Sequence, residues 1–440
     1  AGYSNMLKRT QTYWLEFSRR RMDFPRKLPR DLPGRDELLQ IIDDIAVLIK
    51  TQQSDDGSVL AGYPYPLGYV RDQYGVARGL LSLGYIPEAE SILNYYWRIW
   101  KKYGVIHNAQ AIGFDGIFHV HENDDVECTG YLILQAFDLY AATGDEAFLR
   151  EIFPMLEWAF SAQKKHLVEG MLPFNGDETY IAGGLLPRSA LNDVSAEATM
   201  LFIESGEQLM KWIEKNQLWS IKTIAENKSI VATTRKKFKE NFFLNGILWT
   251  NNPKRTELVN LPQFRHGVCE GNSPDCLMKK YDGIVWTERN AHKRYLCAAC
   301  MMDGSYPTVL GERYKLLSVA LVPFYLHSQL LDKRELQPTI ANIFSQYQKN
   351  EAATTISEGS VDGRNARHVG YEYGFLLNAM TELNMADAAL MYERTLSMTD
   401  QVGAWSEYYL NDIPNGTRCR PWESAINLEA LLSWALKRVN

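Results

Sequence analysis

The chain has 440 residues, of which 46% are hydrophobic and 12% aromatic, and its formal net charge is −6. A composition this apolar can bury a large core, which excludes general disorder. The modest charge and the scattered Lys and Arg residues argue against a phosphate-tracking surface, so we expect no nucleic-acid partner. No apolar stretch approaches the roughly 20 residues of a membrane span, and the first residues lack the signal-peptide pattern. We therefore expect no membrane partner and a cytoplasmic location, with a secreted mature form as the alternative. The sequence does not indicate an oligomeric state.

Helical periodicity is the main pattern along the chain. Apolar residues recur at three- and four-residue spacing in roughly twelve segments, each boundary being uncertain by about four residues. The predicted helices span 36–53, 72–84, 86–102, 125–143, 145–166, 195–216, 222–242, 310–331, 333–350, 366–383, 385–399 and 421–438. Short hinges at 83–87 and 142–145 contain a Gly that ends one helix and a Pro or Asp that begins the next. Such hinges predict antiparallel neighbours.

Helical hairpins of this number are compatible with an (α/α)6 toroid, an irregular bundle or a solenoid of helical repeats. No residue signature repeats at a fixed period, which argues against a regular solenoid. Long aromatic-rich connections separate several of the helices, and a toroid would keep its active site in such connections. We therefore predict an all-α chain in which residues 1–440 form a single (α/α)6 catalytic domain.

One segment, 243–309, interrupts the helical pattern with Pro, Gly and short apolar runs, and is predicted to be a non-helical insertion. It contains Cys269, Cys276, Cys297 and Cys300. The last two have the spacing of adjacent ligands in a tetrahedral metal site, and the first two could complete it. This predicts a structural Zn²⁺, with two disulfides, a redox pair or unrelated buried thiols as alternatives. Four thiolates leave no open position for water, so we expect no cofactor for catalysis.

Two acidic segments place carboxylates among aromatic rings. Segment 175–180 contains Asp177, Glu178 and Tyr180, and segment 404–409 contains Trp405 and Glu407. Hydrolysis of a glycosidic bond needs one carboxylic acid to protonate the departing oxygen and a second carboxylate to activate water or attack the sugar. Aromatic walls raise the pKa of a carboxyl group toward the value that a general acid needs. Glu178 and Glu407 are therefore the catalytic candidates, a solvated surface role being the alternative for each.

Segment 63–75 has the chemistry of a sugar-binding subsite. Its aromatic residues, including Tyr69, offer flat faces to sugar rings, and Arg71 and Asp72 can form charge-assisted hydrogen bonds with hydroxyls. The alternative is that Asp72 only begins the next helix and that Arg71 is solvated. A second acidic loop contains Asp124 and Asp125. It could bind a sugar hydroxyl, cap the following helix or hold Mg²⁺ for diphosphate chemistry.

The chain resembles the glucoamylase family, family 15 of the glycoside hydrolases, and its relatives with (α/α)6 catalytic domains. The resemblance begins at 56–58, continues through Tyr69, Arg71 and Asp72, and reaches the helix that ends near 85. It implies that Arg71 and Asp72 line the subsite of the non-reducing sugar. The order and separation of the two acidic segments imply that Glu178 is the general acid and Glu407 the general base.

The resemblance further implies inverting hydrolysis of an oligosaccharide or small glycoside, with α-linked glucose as the expected sugar. Asp125, Asp177, Tyr180, Trp405 and Trp422 are the additional residues predicted to contact the substrate. The motif at 176–178 also looks like the acidic motif of related disaccharide phosphorylases, so that Asp177 is an alternative acid. A disaccharide phosphorylase and a non-catalytic carbohydrate-binding protein are the alternative functions.

Overall fold

The computed structural model describes residues 2–113, 129–173, 194–254, 258–260, 308–310, 317–349 and 367–438. Its α-helices are α1 (Gly2–Arg19), α2 (Phe24–Lys27), α3 (Arg35–Gln52), α4 (Val70–Leu83), α5 (Ile86–Tyr103), α6 (Thr129–Thr143), α7 (Glu146–Lys165), α8 (Ala196–Asn216), α9 (Ile221–Phe242), α10 (Val322–Tyr325), α11 (Gln337–Lys349), α12 (Glu372–Glu382), α13 (Ala388–Ser397) and α14 (Pro421–Lys437). Two 3₁₀ segments, Leu317–Leu321 and Lys333–Leu336, precede α10 and α11.

Short strands lie in the connections between helices. They are β1 (Leu67–Tyr69), β2 (Ala109–Ala111), β3 (Leu172–Pro173), β4 (Val194–Ser195), β5 (Phe243–Leu244), β6 (Ile247–Leu248), β7 (Leu258–Asn260), β8 (Thr308–Leu310), β9 (Arg367–Val369), β10 (Tyr408–Leu410) and β11 (Ile413–Asn415). All described pairings are antiparallel. The largest sheet among the described residues has three strands in the order β11-β10-β9.

The helices form two concentric layers. Helices α4, α6, α8, α12 and α14 are buried around most of their circumference and contact one another in the order α12, α14, α4, α6, α8. Segment 317–325 supplies the sixth inner position, because α10 packs against α12 and Ser328, three residues after α10, donates a 2.7 Å hydrogen bond to Glu204 on α8. Helices α3, α5, α7, α9, α11 and α13 pack outside this ring. The predicted (α/α)6 toroid is confirmed.

Both helix hinges predicted from Gly, Pro and Asp are confirmed. Gly84 ends α4 with φ +90°, a conformation that glycine adopts without strain, and Pro87 lies in the first turn of α5. Gly144 has φ +70°, and the Asp145 side chain then accepts a hydrogen bond from the Phe148 N–H at the start of α7. These hinges return the chain antiparallel to the preceding helix.

The helix predicted for 310–331 is wrong over most of its described length. The segment begins in β8, continues in a 3₁₀ turn at 317–321 and has only the four-residue α10 among its described residues. Pro323 explains the break, because its ring would clash with the carbonyl four residues earlier in a continuous helix. The helix predicted from 366 begins only at Glu372, because residues 367–369 pair with β10 instead.

Helix α1 was not predicted, and its burial shows why. Phe17 is its one buried residue among those described, while Tyr3, Met6 and Leu15 are more than half exposed. The apolar side chains of α1 therefore do not form a core-facing stripe along its length. Arg20, directly after α1, anchors this end of the chain through a 2.6 Å ion pair with the buried Glu88.

The part of the predicted insertion that the structure describes is not helical: it comprises β5, β6, the turn up to residue 254, β7 and the first two residues of β8. Cys269, Cys276, Cys297 and Cys300 lie outside the described residues, so the structural Zn²⁺ stays a prediction. Within the described ranges, no group of three or more His, Cys, Asp and Glu side chains could hold a metal ion. No helix among the described residues combines the length and apolar character needed to cross a membrane.

Candidate functional site at the N-terminal end of the inner helices

The inner helices bring their first turns together at one end of the toroid. Each follows an outer helix in the chain and runs antiparallel to it, so the inner helices share one direction. Four of them carry an acidic residue in the first turn: Asp72 on α4, Glu197 on α8, Glu372 on α12 and Glu423 on α14. All four side chains are buried, with residue exposures of 2%, 1%, 0% and 0%. Carboxylates are stabilised by the positive end of a helix dipole, which helps to hold them there.

Helix α4 begins directly from the small sheet of β1 and β2. Tyr69 is the last residue of β1 and the N-cap of α4, and it is 8% exposed. Arg71 and Asp72 follow in the first turn, where the Arg71 Nε lies 3.2 Å from Asp72 Oδ1. Both side chains are almost fully buried, so Arg71 is not the solvated residue of the alternative interpretation.

Helix α14 packs directly against α4 and places a second ion pair beside the first. The two helices approach closely at Gly79, where a Cβ atom would lie 2.6 Å from the Cβ of Ala425. At the N-terminus of α14, the Arg420 Nε donates to both carboxylate oxygens of Glu423, at 2.9 and 3.0 Å. Pro421 occupies the first turn, where its missing N–H costs no hydrogen bond.

Trp422 contacts both guanidinium groups. Its ring is 5.1 Å from Arg71 Cζ and 5.4 Å from Arg420 Cζ, and Tyr371 packs against it at a ring distance of 4.9 Å. Arginine is attracted to the face of an indole ring at such distances. The arrangement fixes both arginines at the mouth of the inner ring and joins α4, α12 and α14.

Glu407 lies in the connection between α13 and α14, one residue before β10. Its Oε2 accepts a 2.8 Å hydrogen bond from the Thr417 N–H, and its own N–H donates to the Thr417 carbonyl at 3.0 Å. Its carbonyl accepts from the Gly370 N–H at 2.8 Å. The side chain is half-buried, in contrast to the fully buried carboxylates of the inner helices. This combination gives a positioned carboxylate that solvent can still reach.

The aromatic residues around Glu407 hold its backbone in place. Trp405 is 0% exposed, and its indole N–H donates to the Thr395 carbonyl at 3.1 Å. The Tyr409 hydroxyl donates to the Met398 carbonyl at 2.7 Å and accepts from the Ser406 N–H at 3.0 Å. Buried aromatic side chains therefore hold the backbone on both sides of Glu407.

The charged groups of α4, the α13–α14 connection and α14 act on one another. Burial raises the pKa of Glu423 well above its ordinary value; Arg420 opposes this rise, whereas Asp72 and Glu407 add to it. Burial lowers the pKa of Arg420, but Glu423, Asp72 and Glu407 raise it by more, so that the net shift is upward. These effects indicate that Glu407, Asp72 and the Arg420–Glu423 pair lie near one another.

The acidic residues at the start of α8 and α12 each pair with a tyrosine. The Tyr131 hydroxyl on α6 donates to Glu197 at 3.2 Å, and the Tyr347 hydroxyl on α11 donates to Glu372 at 2.6 Å. Burial and Glu197 raise the pKa of Tyr131, while Arg71 lowers it. These pairs extend the polar surface around the inner ring.

His368 is buried in β9, which pairs with the strand that follows Glu407. Its burial predicts that the protein loses stability in acid. His368 pairs with Tyr409, its ring lies 4.1 Å from that of Tyr347, and neither ring nitrogen has a hydrogen-bond partner among the described residues. Burial lowers its pKa to about 4, with a further lowering by Arg394 and an opposing effect of Asp412.

Because the unfolded chain binds the His368 proton near its ordinary pKa, the stability contribution of the neutral ring is present above about pH 6.5 and is lost as the pH falls toward about 4. We expect the free energy of unfolding to fall by about 2 kcal/mol between about pH 7 and 5 through this residue. Urea unfolding of His368→Phe should show a correspondingly flatter pH dependence over that range. An unchanged dependence would mean that His368 is not the group responsible.

Of the predicted site residues, Tyr69, Arg71, Asp72, Glu407 and Trp422 lie at this end of the toroid. Trp405 lies beneath Glu407, and its substrate contact stays a prediction. Asp125, Asp177, Glu178 and Tyr180 lie outside the described residues, and their roles stay predictions as well. Four further residues at this end of the toroid were not predicted from the sequence: Arg420, Glu423, Glu197 and Glu372. Glu423, Glu197 and Glu372 share a position in the first turn of a helix that is buried around most of its circumference, and Arg420 is the N-cap of one of these helices. This common position becomes visible once the inner helices are known.

No family model and no curated protein matches this sequence. Solved structures do match over nearly the whole chain. A bacterial glucoamylase complexed with acarbose has a TM-score of 0.64 at 11% identity, covering 99% of this chain and 60% of that one. A glycosidase variant in complex with glucose has a TM-score of 0.57 at 10% identity, covering 91% and 98%. A GH63 mannosylglycerate hydrolase from Thermus thermophilus gives 0.57 at 10% identity, covering 88% and 99%.

The fold is that of the (α/α)6 glycosidases. The expected resemblance to glucoamylase-like proteins is therefore confirmed for the architecture. Because the identities are this low, the comparison supports the fold alone.

Proposed function

We propose that this protein is a glycoside hydrolase that cleaves an oligosaccharide or small glycoside, with α-linked glucose as the sugar, by inversion. The observation that carries the proposal is the half-buried Glu407 carboxylate, fixed beside the buried Asp72 and the Arg420–Glu423 pair at one end of the toroid. A base in such a position can accept a proton from water. Structures of similar fold include a glucoamylase and a mannosylglycerate hydrolase, which supports this reaction class.

In this mechanism Glu178 protonates the glycosidic oxygen, and Glu407 deprotonates a water that attacks the opposite face of the anomeric carbon. Asp177 is the alternative acid. Arg71 and Asp72 are the residues proposed to bind the non-reducing sugar, as charged donors and acceptors for its hydroxyls. The packed ring of Trp422 provides an apolar wall beside them. Inversion requires carboxyl groups roughly 6.5 to 9.5 Å apart, and a separation near about 5 Å would favour retention.

The reaction is tested with a panel of α- and β-linked glycosides, incubated with and without inorganic phosphate. We expect hydrolysis of an α-glucoside without phosphate, and NMR should detect the β-anomer as the first product. Release of the α-anomer would contradict the inverting mechanism. Turnover that requires phosphate would identify a phosphorylase, and sugar binding without any turnover would identify a carbohydrate-binding protein.

A further inference from the structure

Arg420 is held rigidly in a buried position beside Glu407. Its side chain is 7% exposed, and its Nε is fixed by both carboxylate oxygens of Glu423. The guanidinium group lies over the ring of Trp422 at 5.4 Å and 5.8 Å from the ring centre of Tyr65. These contacts immobilise the plane of the group, so that its remaining donors point in fixed directions.

The outer nitrogens of this guanidinium form no hydrogen bond with the part of the chain that the structure describes. Arginine has five N–H donors, and the hydrogen bonds of Arg420 to the described residues all come from Nε. Nη1 and Nη2 nevertheless do not belong to the fully buried atoms without a partner. The small exposed fraction of the Arg420 side chain therefore includes these nitrogens. Donors that are fixed, largely desolvated and unused by the described residues around them are suited to a bound ligand.

The loop over Arg420 also leaves room for the guanidinium group. A Cβ atom at Gly62 would lie 3.0 Å from Cδ and 3.1 Å from Nη1 of Arg420, so the loop can approach this closely because residue 62 is a glycine. Tyr65, three residues later, packs against the same group. The loop and α14 together form a narrow space around the outer nitrogens.

Charge decides which ligand fits this space. Among the described residues, two guanidinium groups, those of Arg71 and Arg420, lie with three carboxyl groups, those of Asp72, Glu407 and Glu423. An anionic ligand beside Glu407 would be repelled by the carboxylates of Asp72 and Glu407. A neutral hydroxyl can accept a charge-assisted hydrogen bond from Arg420 without that repulsion.

We propose that Arg420 is a substrate-binding residue whose Nη groups donate to one hydroxyl of the neutral sugar bound beside Glu407, while Glu423 holds the guanidinium group in position. This inference rests on the proposed function, which it deepens by naming a specificity residue. Arg420 thereby selects a sugar with a hydroxyl at one ring position. A hydrogen bond from a charged donor accounts for roughly a tenfold to hundredfold preference over the sugar without that hydroxyl.

The test uses maltose and its monodeoxy analogues, each lacking one hydroxyl of the non-reducing glucose. We expect Arg420→Gln to lower kcat/KM for maltose about tenfold to hundredfold. With the unmodified protein, one monodeoxy analogue should have a kcat/KM lower than that of maltose by the same factor. With Arg420→Gln, that analogue and maltose should have almost equal kcat/KM, because both changes remove the same hydrogen bond. Arg418→Gln is the matched control, since Arg418 is half-exposed and pairs with Asp400. It should leave the preferences among the analogues unchanged.

The inference would be overturned if the loss caused by Arg420→Gln and the loss caused by the missing hydroxyl were additive for every monodeoxy analogue. Arg420 would then act through the fold alone. Arg420→Lys serves as a second variant that keeps the charge and loses the fork of donors. It should show the same selective loss, and thermal unfolding checks that each variant is folded. If the unmodified protein hydrolyses no glycoside, the proposed function fails, and calorimetric binding of glucose and its monodeoxy analogues to the same variants still decides the role of Arg420.

Discussion

Glu407→Gln is expected to lower kcat by about 10²- to 10⁴-fold while the fold remains intact. An amide cannot take a proton from the attacking water, yet it has almost the same shape as the carboxylate. It can also still accept the hydrogen bond that Glu407 receives from the Thr417 N–H. KM should therefore change much less than kcat. Steady-state kinetics on the best α-glucoside of the panel measures both parameters.

The control for this prediction is Glu393→Gln on α13, because Glu393 is an exposed glutamate outside the site. Its kinetics should equal those of the unmodified protein. Thermal unfolding of both variants shows whether a loss of turnover comes from a loss of fold. Near-normal turnover of a folded Glu407→Gln variant would reject Glu407 as the base. The other carboxyl groups at this end of the toroid would then be the candidates.

Local sequence signals were sufficient for most of the described helices and for Arg71 and Asp72 in the site. Hinges such as the one at Gly84 and Pro87 mark antiparallel helix pairs because the backbone preferences of these residues act within a few positions. Arg71 and Asp72 were identified because they follow an aromatic loop and precede an apolar helix. Their burial and ion pair are consistent with that prediction.

Another part of the site depends on tertiary contacts that no local pattern contains. Glu423 occupies the third position of α14, where an acidic residue ordinarily only complements the helix dipole. Its proximity to Asp72 exists because α14 packs on α4, more than 300 positions away in the chain. Arg420 gains its role in the same way, from Trp422 on one side and the loop of Tyr65 on the other.

The error at 310–331 has a different origin. Residues 317–322 are strongly apolar, and a short apolar run has the same composition in a buried helix as in any other buried segment. Pro323 determines the outcome, because it permits a new helix to begin and prevents an earlier one from continuing. The short segment can replace a full inner helix because its residues are nonetheless buried, as Val319 and Phe324 at 0% exposure show.

Gly370→Ala is expected to cost about 1 to 3 kcal/mol of stability and to displace Glu407. Gly370 lies between β9 and α12, where its N–H donates to the Glu407 carbonyl and its own carbonyl accepts from Asn427 on α14 at 2.7 Å. A Cβ atom at this position would overlap the carbonyl oxygen of Ser406. The obstacle is backbone, so no change of rotamer can relieve it. The segment that carries Glu407 must move away from α12 and α14.

A shift of about 1 Å in a catalytic group can cost about 10²-fold in rate, so turnover should fall further than the lost stability alone explains. Urea unfolding and kcat on the same α-glucoside measure the two effects separately. Gly2→Ala is the matched control, because a Cβ atom there would meet nothing within 4 Å. If Gly370→Ala lowered stability and left kcat unchanged, the position of Glu407 would not depend on this contact. A loss of both stability and kcat would show that the position of Glu407 depends on the contacts that Gly370 makes with Glu407 and with α14, and therefore on the packing of the inner ring.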